Sequence, residues 1–119
     1  MSDCLFCRLG AREVPAEVVW EDDRVVAFRD IGPQAPVHVL VIPREHHATL
    51  GALATSDPEL LGQVVAAAHA VAAQEGLVGA DGAEPGWRLV VNTGPDGGQV
   101  VQHVHLHVLG GRQMRWPPG

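Results

Sequence analysis

His103-Val104-His105-Leu106-His107-Val108-Leu109 alternates an imidazole with an aliphatic side chain three times over, and that alternation decides how the chain is built. Successive side chains of an extended chain point to opposite faces, with like-facing residues roughly 6.6–6.8 Å apart. The stretch is therefore read as one strand, with His103, His105 and His107 on one face and Val104, Leu106 and Val108 on the other. The aliphatic face belongs to a core. The opposite face gathers groups that titrate near neutrality and can serve as nucleophile, general base or metal ligand. A strand whose outer face is merely wet would accept any polar residue there; three identical imidazoles point to chemistry.

Working outward, Trp87 to Asn92 reads as a preceding strand, and Thr93-Gly94-Pro95-Asp96-Gly97-Gly98-Gln99 as the loop that joins it to the histidine strand in a hairpin. Asp-Gly-Gly alone is more often just a turn. Glycines also let a loop turn its N–H groups inward and hold an anion without lysine, and this loop would deliver one beside the imidazoles. Further upstream, Val37 to Ile42, between Pro36 and Pro43 and broken by His38, reads as a buried central strand. Val18 to Trp20 and Val25 to Phe28 pair around Glu21-Asp22-Asp23-Arg24. Ser56-Asp57-Pro58-Glu59 has the order of a capping box and opens a helix to about Glu75, closed by Gly76. Its stripe of Leu60, Leu61, Val64, Val65, Ala68, Val71 and Ala72 covers one face of the sheet, with His69 at the surface or boundary. Gly79 to Gly86 reads as a loop. The pattern is that of an α+β domain without internal repeats or linkers.

The 119 residues form one domain, 1–119. A net charge of -6 argues against a partner such as long nucleic acid. The segment Met1 to Arg12 carries charges throughout and shows no export signal, and Val64 to Ala73 is too short to span a membrane. With only two cysteines, a reducing cytoplasmic setting is expected.

The stretch from His103 to Leu109 matches the signature His-φ-His-φ-His-φ-φ, with φ apolar, and so resembles the histidine triad superfamily. Phe28 through Pro43, the Asn92 to Gln99 loop and the tail Gly110 through Gly119, with its Trp116-Pro117-Pro118-Gly119, are similar to the histidine triad nucleotide-binding (HINT) branch. The resemblance implies a five-stranded antiparallel sheet with one long helix and a short N-terminal helix, dimerising into a ten-stranded sheet. It implies hydrolysis of purine nucleoside 5′-phosphoramidates, such as those of AMP, by a homodimer through a nucleotidyl-histidine intermediate.

Roles follow from the same likeness. His105 matches the nucleophile, His107 the residue on the phosphoryl oxygens, His103 the one nearer the leaving group, and His38 the histidine that buttresses the nucleophile. Asp30 matches the carboxylate for the ribose hydroxyls, Phe28 and Ile31 the clamp on the base, and Asn92 a polar contact beside the loop. Main-chain donors near Gly98, Gln99 and Val100 face the phosphate, and Trp116 looks like the tail residue that reaches the partner's site. The branch usually carries serine at position 100; Val100 keeps the N–H and loses the hydroxyl.

Cys4-Leu5-Phe6-Cys7 has zinc-ligand spacing, but one such pair is half a tetrahedral site. The likeness supplies His46 and His103 as the other half, with His47 a substitute for His46. Such a zinc is structural, no cofactor being required for catalysis, and reduced metal-free thiols are the alternative. The readings that compete with a phosphoramidase are a dinucleoside polyphosphate hydrolase of the same superfamily, a nucleotide-binding interaction module with vestigial catalysis, and a zinc-holding protein.

Overall fold

A computed structural model describes residues 3–79 and 84–119. In chain order it contains α1 (Leu5–Gly10), β1 (Val18–Glu21), β2 (Val25–Arg29), β3 (Val37–Pro43), α2 (Leu50–Ser56), α3 (Pro58–Gln74), β4 (Trp87–Val91) and β5 (Leu106–Gly110). The strands make one sheet in the order β1-β2-β3-β5-β4, every pairing antiparallel. The proline-bounded apolar run is the central strand β3, and β4 pairs with β5 as the hairpin reading requires.

The two faces of the sheet have different tasks, set by the period of two along each strand. Val25, Ala27, Val39, Val41, Leu106 and Val108 face α3 and join Leu60, Val64, Ala68, Val71 and Ala72 in the main core. Val26, Phe28, Leu40 and Ile42 face the other way and form a smaller cluster with Phe6 and Leu9 of α1. His38 shares its strand face with Leu40 and Ile42, so the chemistry lies on the side of the short helix and the long one is scaffold.

Several expectations need correcting. The hydrogen-bonded strand begins at Leu106, so His103 and His105 precede it. The Val104 N–H there bonds the His47 carbonyl at 2.7 Å and pulls the chain off the ladder, although Val104 still enters the main core. The N-cap of α3 is Asp57, which accepts from Leu60 N at 3.0 Å; Ser56 instead closes α2 and donates to the Ala52 carbonyl at 2.7 Å. The residue before a proline is steered out of the helical region, which makes Asp57 the break. Helix α2 was not anticipated; Thr49, whose hydroxyl accepts from Ala52 N at 3.1 Å, is the capping signal that marks it. On α3, Val65 is 43% exposed and Leu61 only partly buried, while Ala67 is buried, because the buried arc centres on Leu60, Val64, Ala68 and Val71. The loop read over Gly79 to Gly86 lies in part outside the described residues. No described helix is long and apolar enough to cross a membrane.

This placement makes two neighbouring aliphatic positions unequal. Leu60→Ala should lower the unfolding free energy by about 2–5 kcal/mol in urea denaturation, as a fully buried leucine does. Val65→Ala should change it by less than about 0.5 kcal/mol, as a surface substitution does. Equal losses at the two sites would contradict the assigned face of α3.

Candidate active site

Two strands bring His38 and His107 together. In the β3–β5 register His38 lies opposite Leu109, and Leu40 opposite His107, so the two imidazoles are diagonal neighbours on one face. His38 Nε2 and His107 Nδ1 stand 2.9 Å apart, and the Gln34 N–H donates to His38 Nδ1 at 3.0 Å. A main-chain amide can only donate, so neutral His38 carries its proton on Nε2 and donates it to His107 Nδ1. His107 must then carry its proton on Nε2, a buried atom with no partner among the described residues. Burial holds His38 below the usual histidine value, against the pull of Asp30, and pushes His107 down to about 4, helped by His105 and His38. Both rings are neutral at pH 7.

The opposite tautomer is imposed on His105. Its Nδ1 lies 2.8 Å from the His103 carbonyl oxygen, which can only accept, so the proton sits on Nδ1 and the lone pair on Nε2. The His105 and His107 rings are 5.0 Å apart between centroids. Of two neighbouring rings, one therefore carries its lone pair and the other an unpartnered N–H at Nε2. The expected buttress is corrected here: His38 supports His107, and the main chain of His103 supports His105.

His103 turns away from this pair. It is fully buried, its Nε2 donates to the Pro43 carbonyl at 2.8 Å, and its Nδ1 lies 3.4 Å from Cys4 Sγ and 3.5 Å from Cys7 Sγ. His46 Nδ1 is 3.3 Å from Cys7 Sγ, and the four donor atoms all lie within 4.8 Å of one another. A tetrahedral zinc with its ordinary bonds to sulfur and nitrogen places those atoms roughly 3.5 Å apart, so the donor set fits the ion. Burial pushes His103 down to about 4 and keeps its Nδ1 lone pair available. His47 is not a substitute ligand: its Nε2 meets Glu45 at 2.7 Å and its Nδ1 meets Ser56 Oγ at 3.2 Å. That trio imitates a hydrolytic triad, but the Ser56 hydroxyl proton is held by the Ala52 carbonyl.

The glycine-rich loop has a different division of labour from the one expected. Gln99 is buried and braces it: Oε1 accepts from Gly94 N at 3.0 Å, and Nε2 donates to Ala48 O at 2.7 Å and Val101 O at 3.0 Å. The Gln99 N–H also turns inward, to the Gly94 carbonyl, and the Gly98 N–H to that of Pro95. These two amides are thus occupied, and the Val100 N–H, bonded to no described residue, is the donor left. Gly98 has φ 78°, and a Cβ on Gly97 would sit 2.2 Å from the Thr93 oxygen, so both positions require glycine.

A cavity of about 420 Å³ has a wall that includes Phe28, Asp30, Ile31 and Leu40 together with Leu5, Phe6 and Leu9, and it is linked to the imidazoles through Phe6, whose ring meets that of His105, and through Asp30. Phe28 is buried, Ile31 fully exposed at the rim, and Asp30 accepts from Gly32 N at 2.7 Å with its other oxygen 3.5 Å from His38 Nε2. The α1 wall escaped the sequence reading, although Leu5-Phe6 between the two cysteines was its signal. Asn92 is half-buried, and Val100 and Trp116 are exposed at 86% and 84%. The tail before Trp116 is tied to edge strand β4 by Arg88 Nη2 donating to the Arg115 carbonyl at 2.8 Å.

Comparison with known proteins places the chain in a family. The family model of the HIT domain matches residues 11–114. The chain is 45% identical to a 14 kDa zinc-binding protein of Brassica juncea, over 98% of this chain and 100% of that one. It is also 45% identical to the Arabidopsis thaliana protein named adenylylsulfatase HINT1, over 99% of this chain and 78% of that one. Among solved structures, a HIT family hydrolase from Legionella pneumophila superimposes with a TM-score of 0.90 at 51% identity, over 98% of this chain and 100% of that one.

The depressed His107 value has a consequence for stability. The unfolded chain binds a proton at this residue near the ordinary 6.5 and the folded chain only near 4, so in that window unfolding takes up protons. The His107 contribution should be complete above about pH 6.5 and fall away as the pH drops toward 4. Thermal unfolding of the parent should show a steeper decline in Tm across that window than His107→Gln; parallel curves would refute the assignment.

Proposed function

The chain belongs to the HIT domain family, and from that premise we propose that it hydrolyses purine nucleoside 5′-phosphoramidates through a covalent nucleotide on His105. The observation that carries the reading is the pair of complementary tautomers on neighbouring rings, a lone pair on His105 Nε2 and an unpartnered N–H on His107, together with an apolar cavity of nucleobase size whose Phe6 wall meets the His105 ring.

The base packs between Phe28 and Ile31, Asp30 accepts the ribose hydroxyls, and Asn92 lies beside the phosphate loop. His105 Nε2 attacks the α-phosphorus as the bond to the departing nitrogen breaks, and the amine takes a proton from solvent. His107 Nε2–H and the Val100 N–H donate to the phosphoryl oxygens, where charge accumulates. Water then attacks the phosphorus, the bond to His105 breaks, its electron pair returns to Nε2, and the proton lost by the water balances the one the amine gained. Two displacements at phosphorus give retention. His103, expected nearer the leaving group, acts instead through its carbonyl. The working unit is a homodimer in which the Trp116 tail reaches the other copy's site.

Cys4, Cys7, His46 and His103 would hold a structural zinc, whose four protein ligands leave no position open for water. When bound, it supplies a fixed anchor for α1 and for the turn that presents His105. The name of the Brassica juncea relative supports this assignment.

Incubation with an adenosine phosphoramidate should release AMP, and His105→Ala should lose several orders of magnitude in kcat, since no other nucleophile is at hand. Unchanged turnover in that variant would retire the mechanism. AMP binding without turnover in the parent would favour a nucleotide-binding interaction module, the reading that the missing hydroxyl at Val100 supports. Elemental analysis should find zinc in the parent and its loss in Cys4→Ser; equal metal in the two would dismiss the cluster.

A further inference from the structure

Helix α1 is short, and within the described residues it pairs with no strand. What holds it is a small set of contacts: the sulfurs of Cys4 and Cys7 against His103 and His46, Arg44 Nη1 donating to the Gly10 carbonyl at 2.5 Å, and the burial of Phe6 and Leu9. Its N-cap is Cys4, and the Cys7 N–H bonds Cys4 Sγ at 3.4 Å, so the two sulfurs and the first turn form one unit.

Phe6 stands between those cysteines in the same turn. It is 5% exposed and meets three rings edge-to-face: Phe28 at 5.5 Å, His105 at 5.1 Å and His103 at 6.1 Å between centroids. With Leu5 and Leu9 it forms the α1 wall of the cavity that Phe28 and Leu40 line from the sheet. One ring thus touches the sulfur-and-imidazole cluster, the nucleophile and the base-binding wall. The path from the cluster is doubled on the main chain, because the His103 whose Nδ1 faces the sulfurs holds His105 Nδ1 by its carbonyl.

We propose that metal in the Cys4–Cys7–His46–His103 cluster and a nucleotide in the cavity bind cooperatively, with Phe6 as the positioning residue that couples them. The inference rests on the nucleotide reading of the cavity given above. A metal that draws the two sulfurs onto His103 and His46 seats α1, completes the wall and removes the ordering that a nucleotide would otherwise have to impose. Such coupling is reciprocal: whatever factor the metal contributes to nucleotide affinity, the nucleotide returns to metal affinity.

The test uses the whole chain and AMP as the probe, with calorimetry for the nucleotide and competition against a chromophoric chelator for zinc. Removing zinc should weaken AMP binding about tenfold, within the ordinary range of such couplings, and saturating AMP should tighten zinc by the same factor. Phe6→Leu should still bind zinc at the parent stoichiometry, while the coupling factor falls below about twofold. AMP affinity unchanged within twofold on metal removal, in a chain that circular dichroism shows to be folded, would overturn the proposal and leave the nucleotide reading standing. AMP binding to neither form would overturn both. Should the metal-free chain unfold, Phe6→Leu decides, because coupling that runs through global folding survives that substitution and coupling through the ring does not.

Discussion

The hydrogen bond from His105 Nδ1 to the His103 carbonyl, 2.8 Å long, is the constraint on which the rest of the site depends. An imidazole free to exchange tautomers would present a lone pair at Nε2 only part of the time, and on a wet strand it would rotate. A main-chain carbonyl two residues back removes both freedoms, since it can accept a proton and never give one. That carbonyl is fixed because His103 cannot move: its ring is fully buried, one nitrogen bonds Pro43 and the other faces two sulfurs. The orientation of the His105 ring is inherited from the buried His103.

This explains why the segment ahead of β5 leaves the ladder. In a regular strand the carbonyl of residue 103 would point along the sheet toward a neighbouring strand. The Val104 bond to His47 takes the chain out of register with β3 and releases the carbonyl for a side chain. Val104 still fills the main core, so the departure costs little burial. His38 and His107, by contrast, both lie within strands, and their pairing is set by the β3–β5 register alone.

Much of this was legible before any coordinates. The alternation from His103 to Leu109 carries the division of faces, and the proline-bounded run with His38 carries the central strand, because period-two patterning is dictated by core burial. The ladder's actual start at Leu106 was not legible, since it turns on a bond to His47, a residue far away in sequence. The loop's amides differ from expectation for a related reason. Main-chain donors at Gly98 and Gln99 are expected to face the phosphate, and their inward bonds to Pro95 and Gly94 show only once the loop's closure around the Gln99 side chain is seen. Partners of histidines suffer most, because a ring's role depends on which atom faces each nitrogen.

The site also has an electrostatic character that composition hints at and geometry completes. The chain has no lysine, and most of its arginines have partners away from the imidazoles: Arg24 with Asp57, Arg29 with Glu17 and Glu75, Arg12 with Glu21, and Arg44, Arg88 and Arg112 with main-chain carbonyls, while the Arg8 Nε is buried without a partner among the described residues. Burial holds His38 and His107 neutral. An anion beside His105 would therefore meet dipoles rather than charges: one imidazole N–H and a main-chain amide. Neutral donors fixed in a low-dielectric setting stabilise the extra charge of a crowded phosphorus without the cost of desolvating a cation. On the proposed reading, a nucleophile and an oxyanion donor drawn from the same residue type need their protons placed oppositely, and two main-chain groups, the His103 carbonyl and the Gln34 amide, do that placing.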